Sequence, residues 1–413
     1  MRPLYKRLLG GLIGLLLVAG CSNKEIVSDT FESGSDHPYY FDGMGTPFIA
    51  AGEEGYYFLS GNYIYYADRA TMKPVLLENK PNSTCFSDDI EQESQNCNAF
   101  VNLGDLQGFL AYGQGNLYTI EQKIELEKGK GIFKRYNFVR ISKDGSVKKT
   151  ILTIDDRPTT MIVHRGYLYY ATKGFSQQSE GSYSLMRFPL DRSFAKPETL
   201  YEGSQQNGSI VYLTAYGNRL YFQDGGMNIL REMTFDLRSK TASRILSDDD
   251  TVYPFLKSFS GDKLLFTYFY GDIEDPEAWK AHTANLDGSQ IAELPFQPDF
   301  FSIFNMDDRY FYVRPDDVYL NVDPYKEKYK HIINEMKVYD TQYRLVDSIP
   351  LPFKALTNNH IVGDESYMFF YYDNGQTIEF SYLDKQDIGS GNATFQPLIS
   401  TRKLTNGTVV SNQ

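Results

Sequence analysis

The sequence predicts an all-β chain folded as a β-propeller of seven four-stranded blades. Three observations carry that prediction. The 413 residues include 33 Tyr and 28 Phe beside a single Trp, Trp279, and aromatic side chains suit the pleated, half-buried surface of a strand. A Gly-, Asn- or Asp-containing turn followed by a Tyr/Phe/Leu-rich strand recurs at Gly55, Gly115, Gly166, Gly217, Gly261, Asp308 and Gly363, at steps of 60, 51, 51, 44, 47 and 55 residues. Each copy sits inside a larger unit of four strand-like runs, and periods of this length mark solenoids, propellers or arrays.

The elements follow in chain order. Arg2, Lys6 and Arg7 precede an apolar run from Leu8 to Val18, and Val18-Ala19-Gly20 leads to Cys21. That order is a secretory signal, too short to span a bilayer, which needs roughly twenty apolar residues. Its ending resembles the lipobox of bacterial lipoproteins. The resemblance implies cleavage of residues 1–20, diacylglycerol on the Cys21 sulfur, and a mature chain held by lipid on the extracytoplasmic face of a cell membrane. Stable anchoring needs two or more acyl chains such as palmitate, because one gives only marginal binding. Residues 21–37, small and polar after the cysteine, read as the acylated residue and a flexible tether.

Removing Arg2, Lys6 and Arg7 leaves 38 Lys+Arg against 53 Asp+Glu, a formal charge of −15. A field of that sign repels phosphate backbones and anionic head groups, so nucleic acid is excluded as the expected partner. A mature chain of 393 residues exceeds one ordinary core and calls for several domains or a modular repeat.

The repeat then phases the chain into units at 45–78, 104–153, 157–202, 208–247, 253–295, 299–350 and 353–403, within one propeller domain over 38–405 and before a polar tail over 406–413. In each unit an apolar strand, such as Thr159-Met161-Val163, precedes the phrase. A third strand ends in an Asp-containing turn, as at Lys143-Asp144-Gly145 and Asp287-Gly288, which supplies the φ > 0 positions of a tight hairpin. A fourth short strand follows. Strands such as Tyr167 to Ala171 are apolar at successive positions, as a sheet buried on both faces requires. Irregular unit lengths leave six or eight blades open, and a pair of β-sandwiches is the competing architecture. Both 38–51 and 395–410 contain runs that suit a closing strand.

Two charged or irregular stretches interrupt the pattern. Glu121 to Lys134 falls between the second and third strands of the second unit. Residues 315–336 interrupt the sixth, where Asp323 caps a predicted short helix with Pro324 at its first position and Tyr329, Ile332, Ile333 and Met336 on one side. Cys85 and Cys97 are expected to be bonded, twelve positions apart in an oxidising compartment. The polar stretch between them reads as a loop that burial alone cannot order, and closing it is worth roughly 3 kcal/mol.

Catalytic signatures are missing: there is no Gly-x-Ser-x-Gly, no cysteine free to attack and no HExxH. His37, His164, His282, His331 and His360 are scattered. His164 and His360 fall near the ends of innermost strands and are the candidates for the central channel. The acidic runs at Asp155-Asp156, Asp248 to Asp250, Asp307-Asp308 and Asp316-Asp317 lack the alternating spacing of a calcium loop. No metal and no cofactor is expected.

The Gly-x-x-Tyr-Tyr phrase, the strands ending in Asp-Gly, and the segment from Lys80-Pro81 to Cys97-Asn98-Ala99-Phe100 resemble the TolB-like and domain-of-unknown-function propellers found in lipoproteins of Gram-positive bacteria. The resemblance implies fold and location, and fold does not transmit function. A second family, the outer-membrane assembly lipoprotein propeller, carries Trp-containing blade motifs from which this chain departs. The functional expectation is an extracytoplasmic binding or scaffold module for an envelope protein, peptide or glycan. The alternatives are a hydrolytic enzyme using carboxylates across the channel, and a small-ligand or ion sensor.

Overall fold

A computed structural model describes residues 28–32, 36, 48–87, 89–106, 108–127, 131–173, 182–192, 195–203, 208–226, 229–269, 280–296, 302–316, 325–328, 330–352, 359–373, 375–403 and 409–411. Seven antiparallel sheets follow one another along the chain, each with its strands in sequence order. They occupy residues 49–76, 110–154, 158–203, 209–244, 253–293, 302–350 and 359–411. First strands of neighbouring blades touch, in blades 1 and 2, 2 and 3, 3 and 4, and 5 and 6, which places them around the axis. Seven blades resolve the count, and the paired-sandwich alternative is set aside. No helix among the described residues is long and apolar enough to cross a membrane.

The core is divided among seven interfaces, one between each pair of neighbours. Successive residues of each second strand serve opposite interfaces. In blade 1, Tyr56 and Phe58 pack with Phe369 and Phe380 of blade 7, while Tyr57 and Leu59 pack with Leu110 and Leu117 of blade 2. In blade 3, Leu168 and Tyr170 face blade 2, while Tyr169 and Ala171 face blade 4. A strand alternates its side chains across the sheet, so two apolar faces need an uninterrupted apolar run. Each such buried side chain contributes about 1.5–3 kcal/mol.

Tyrosine adds a polar fastener to this packing. The Tyr57 hydroxyl donates to the Lys143 carbonyl in the next blade at 3.0 Å, Tyr221 to Leu286 at 2.8 Å, and Tyr367 to Arg69 at 3.2 Å. In each case a second-strand phenol reaches the turn between the third and fourth strands of the following blade. A buried phenol needs such a partner, and Phe at these positions has none to offer.

Among the described residues the ring closes without exchange of a strand. Neither terminus completes a shared blade: residues 49–76 and 359–403 each form all four strands of their own sheet. Tyr56 donates to Asp364 at 2.6 Å, Ser60 and Thr401 hydroxyls meet at 2.7 Å, and the Phe48 ring stacks on Tyr371 at 4.6 Å. Val409–Ser411 pairs with Thr401 to Lys403 as a fifth, outermost strand. The sheet therefore runs past residue 405, into what reads in sequence as a polar tail.

Two local expectations are corrected. The helix expected over Tyr325 to Met336 is a single turn, Tyr325–Lys328. Glu335–Asp340 is the third strand of blade 6 instead, with Met336 opposite Ile349 and fully buried between blades 6 and 7. Strand pairing plus core burial outweighs the pattern of a helix too short to nucleate by itself. Conversely, the stretch between the cysteines holds a helix, Ile90–Asn96. Its Glu93 is 1 % exposed and accepts hydrogen bonds from Phe86 N at 2.7 Å, Ser87 N at 2.8 Å and the Tyr63 hydroxyl at 2.9 Å. A buried carboxylate, not apolar burial, orders that segment.

Candidate binding surface on the second blade

Blade 2 differs from its neighbours in its second and third strands, Asn116–Glu127 and Gly131–Ser142, twelve residues each. The fourth strand, Lys148–Ile154, covers the third only as far as Tyr136. Beyond that point Lys123 pairs with Arg135, Ile124 with Lys134 and Glu125 with Phe133, so within the charged stretch from Glu121 to Lys134 the two strands continue as a ribbon projecting from one face of the ring. An isolated ribbon is marginal in water, and this one is braced. Asn102 O accepts from Gln122 N at 2.7 Å, and Asp105 accepts from Gln122 Nε2 at 2.5 Å and from Lys134 Nζ at 2.8 Å. Glu125 pairs with Lys123 at 2.9 Å and Arg135 at 3.0 Å, and the bond from Lys123 holds its carboxyl below the ordinary range. Ile124 and Phe133, one on each side of the ribbon, are nonetheless 61 % and 39 % exposed.

Below the ribbon, the connector from blade 1 and the outer edge of blade 2 border an open polar cavity of about 460 Å³ lined by residues that include Lys80, Asn98, Glu121, Lys148 and Lys149. The Lys148 ammonium is held by Glu121 at 2.6 Å and by the Phe100 carbonyl. The connector is fixed by the Cys85–Cys97 disulfide, with Sγ atoms 2.06 Å apart and Cα atoms 5.1 Å apart. Glu78 accepts from Asn98 N, Ala99 N and Lys80 N beside it. Among the described residues, Glu78, Cys85 and Cys97 form a group with metal-ligand atoms close together, but the disulfide consumes both thiols, and what is left is one carboxylate.

The residues singled out in sequence fall as follows. Cys21 and His37 lie outside the described residues. His164 does end the first strand of blade 3, Pro158–His164, but its ring is 2 % exposed and wedged between blades. Nε2 lies 2.9 Å from the Gly217 carbonyl, and Nδ1 lies 3.6 Å from Asp36. It packs an interface and does not line an open channel. His360 pairs through its backbone with Tyr371; its side chain lies outside the described residues. His282 belongs to the third strand of blade 5 and His331 is exposed near the rim of blade 6.

Single aspartates shape turns, and Asp250 and Asp307 of the acidic runs fasten strands. Asp68, Asp144, Asp236, Asp287, Asp340 and Asp384 each accept backbone N–H groups two to four residues ahead between third and fourth strands. Bonds from Ser142 and Ser146 hold the Asp144 carboxyl down at about 2. Asp250 takes Arg231 and Arg244 at 2.8 and 2.6 Å, and Asp307 takes the buried Lys385 at 2.6 Å, joining blades 6 and 7. The seven innermost strands carry no Asp or Glu at all. These strands thus place no carboxylate across the channel.

One group of contacts was invisible in the sequence. Residues 28–32 and Asp36, expected in the free tether, lie on blades 3 and 4. Arg165, at the turn between the first two strands of blade 3, donates from Nε and one terminal nitrogen to the two Asp36 oxygens at 2.6 and 2.7 Å. It donates further to the Ser28 and Thr30 carbonyls at 2.7 and 2.9 Å. Phe31 stacks on Tyr216, and Asp29 pairs with Arg238 at 3.2 Å.

Comparison with known proteins adds to this geometry at the level of fold. No family model matches the chain, and no curated protein matches it. A prolyl endopeptidase structure aligns over 94 % of this chain and 51 % of its own at 9 % identity, with a TM-score of 0.55. The tricorn protease aligns over 92 % of this chain and 36 % of its own at 9 % identity, with a TM-score of 0.50. TolB from Acinetobacter baumannii aligns over 86 % and 78 % at 13 % identity, with a TM-score of 0.38. The chain spans about half and about a third of the two proteases. These neighbours share the propeller, TolB-like propellers among them.

Proposed function

We propose that this chain is a lipid-anchored extracytoplasmic adaptor that holds an envelope protein through the blade 2 ribbon. The observation that carries the reading is the exposure of Ile124 and Phe133 on a ribbon braced by the connector. Apolar side chains displayed on a fixed projection mark an interaction surface, and a braced ribbon loses little freedom when it binds. The anchor reading rests on the N-terminal signal and Cys21. The acyl group supplies location, the ring a rigid scaffold, and the ribbon the contact.

A photo-crosslinking residue at position 124, introduced in the native host, tests this. The expected result is one discrete adduct, absent from a probe at Ile291, which is 45 % exposed on blade 5, and lost in the Phe133→Asp background with unchanged melting temperature. Equal adduct patterns from 124 and 291 would overturn the reading. Palmitate labelling lost in Cys21→Ala checks the anchor separately.

A further inference from the structure

We propose that the docked N-terminal segment orients the propeller, holding the face that carries the Arg165 turn toward the membrane and presenting the blade 2 ribbon away from it. The inference rests on the lipid-anchor reading above and asks what that anchor does once it is made.

The first observation is how completely the segment is held. Asp36 and Arg165 side chains are 2 % and 3 % exposed. The Asp36 carboxylate also accepts Glu32 N at 2.9 Å, while Asp36 N donates to Glu32 O at 2.9 Å, so Glu32 and Asp36 are tied to each other beside the ion pair. The guanidinium places its donors on two side-chain oxygens and two carbonyls, a planar fork that fixes geometry as well as charge. Gly217, at φ +56, lies so near the segment that a Cβ there would meet Asp29 O at 2.4 Å. Arg165 itself adopts φ 46 before Gly166 at φ 81. Two consecutive left-handed residues make the turn that favours Asn-Gly or Gly-Gly, so Arg is kept there against local preference.

The second observation is length. Seven residues separate Cys21 from Ser28, a reach of at most about 25 Å. Were the segment free, twenty-seven residues would separate Cys21 from Phe48, a reach of about 95 Å that permits any orientation. Docking shortens the leash to less than the thickness of the ring plus its ribbon. The turns joining first to second strands, Arg165 included, lie on one face, and the ribbon tip on the other; from Asn116 to Ile124 the second strand of blade 2 alone rises about 27 Å. Charge does not achieve this orientation, since a chain of −15 is repelled by anionic lipid.

The test is energy transfer from a donor dye to acceptor lipids in vesicles of neutral and anionic lipid, using the acylated full chain. The donor sits on an azide-bearing residue at position 262, beside the docked segment in blade 5, or at position 124. Transfer is expected to be higher from 262 than from 124 and to stay so as salt is raised, because a buried pair is little screened. Arg165→Gly keeps the turn and removes the fork; the difference between the two positions is then lost. Asp36→Asn is the second variant and shrinks the difference. Equal transfer from 262 and 124 in the unaltered chain, or a difference that survives Arg165→Gly, would overturn the inference. Where palmitate labelling shows no acylation, the anchor reading fails instead, and the same distances are read after joining Cys21 to a maleimide lipid.

Discussion

The turns joining first to second strands and the loops joining second to third strands obey different rules. The former are two or three residues long in all seven blades; the latter run from two residues in blade 1 to nineteen in blade 6. The short turns lie nearest the axis on one face, where neighbouring blades crowd and any extra residue strikes the next blade. On the opposite face the lengths of the connecting loops differ from blade to blade. Uniformity therefore marks where the ring is assembled, and variation marks where it can meet other molecules, as loops on a rigid scaffold do. The blade 2 ribbon projects from that second face.

The fasteners between blades differ in kind along the same direction. Near the uniform face they include phenol-to-carbonyl bonds, insensitive to pH across the physiological range, beside the Tyr56–Asp364 bond and the Asp307–Lys385 pair. Past the middle of blade 4, toward the loops, the contact with blade 5 is a carboxyl. Glu232 is fully buried, beside Gln223 Nε2 at 3.2 Å, with Gln223 also donating to the Pro254 carbonyl at 3.0 Å. Burial raises its carboxyl to about 8 from an ordinary 4.5. Below 4.5 both folded and unfolded chains keep the proton, and the full stability is present. Above it the unfolded chain releases the proton and the folded chain does not, so stability falls as pH rises toward 8. The loss is on the order of a few kcal/mol. Glu232→Gln, which cannot ionise, is expected to flatten the dependence between those pH values in chemical denaturation. A slope unchanged by the substitution would show that Glu232 does not carry the dependence.

How much of this could be read in the sequence follows the same division. The repeated phrase is the short turn plus the second strand, the most uniform part of every blade, and it phased all seven units. The continuous apolar runs forecast sheets buried on both sides because alternate residues enter different cores. What escaped notice depends on distant partners. Asp36 and Arg165 are 129 positions apart, and nothing near either one announces the other. Glu93 looks like one more acidic residue in a polar loop until Tyr63 is brought to it. Met336 fits a helical stripe as well as a strand, and only its place opposite Ile349 decides. The candidate surface was half visible, as a charged interruption whose two strands carried no turn signal strong enough to pair them.

Glycine substitutions sharpen the comparison within blade 2. Gly145 and Gly115 both have positive φ, +75 and +72, in turns on the uniform face. A Cβ at Gly145 would meet the Leu77 carbonyl oxygen at 2.6 Å, whereas at Gly115 nothing lies within 4 Å. Gly115→Ala should cost about 1–2 kcal/mol, the left-handed conformation alone. Gly145→Ala should cost about 2–4 kcal/mol, because the connector from blade 1 has to move as well. Equal losses in urea denaturation would mean that the contact between blades adds nothing at this turn.

The smallest expected effect tests whether the fasteners are modular. Tyr57, Tyr221 and Tyr367 make the same bond at three separate interfaces. Replacing any one with Phe keeps the ring in its core and removes only the hydroxyl. Each change should then cost about 1 kcal/mol, the net worth of one buried hydrogen bond. The interfaces share no partner, so the triple substitution should cost the sum to within a few tenths of a kcal/mol. A triple loss well above that sum would mean that strain at one interface is passed around the ring. Closure between blades 7 and 1, where Tyr367 acts and no strand is exchanged, is where such coupling would enter.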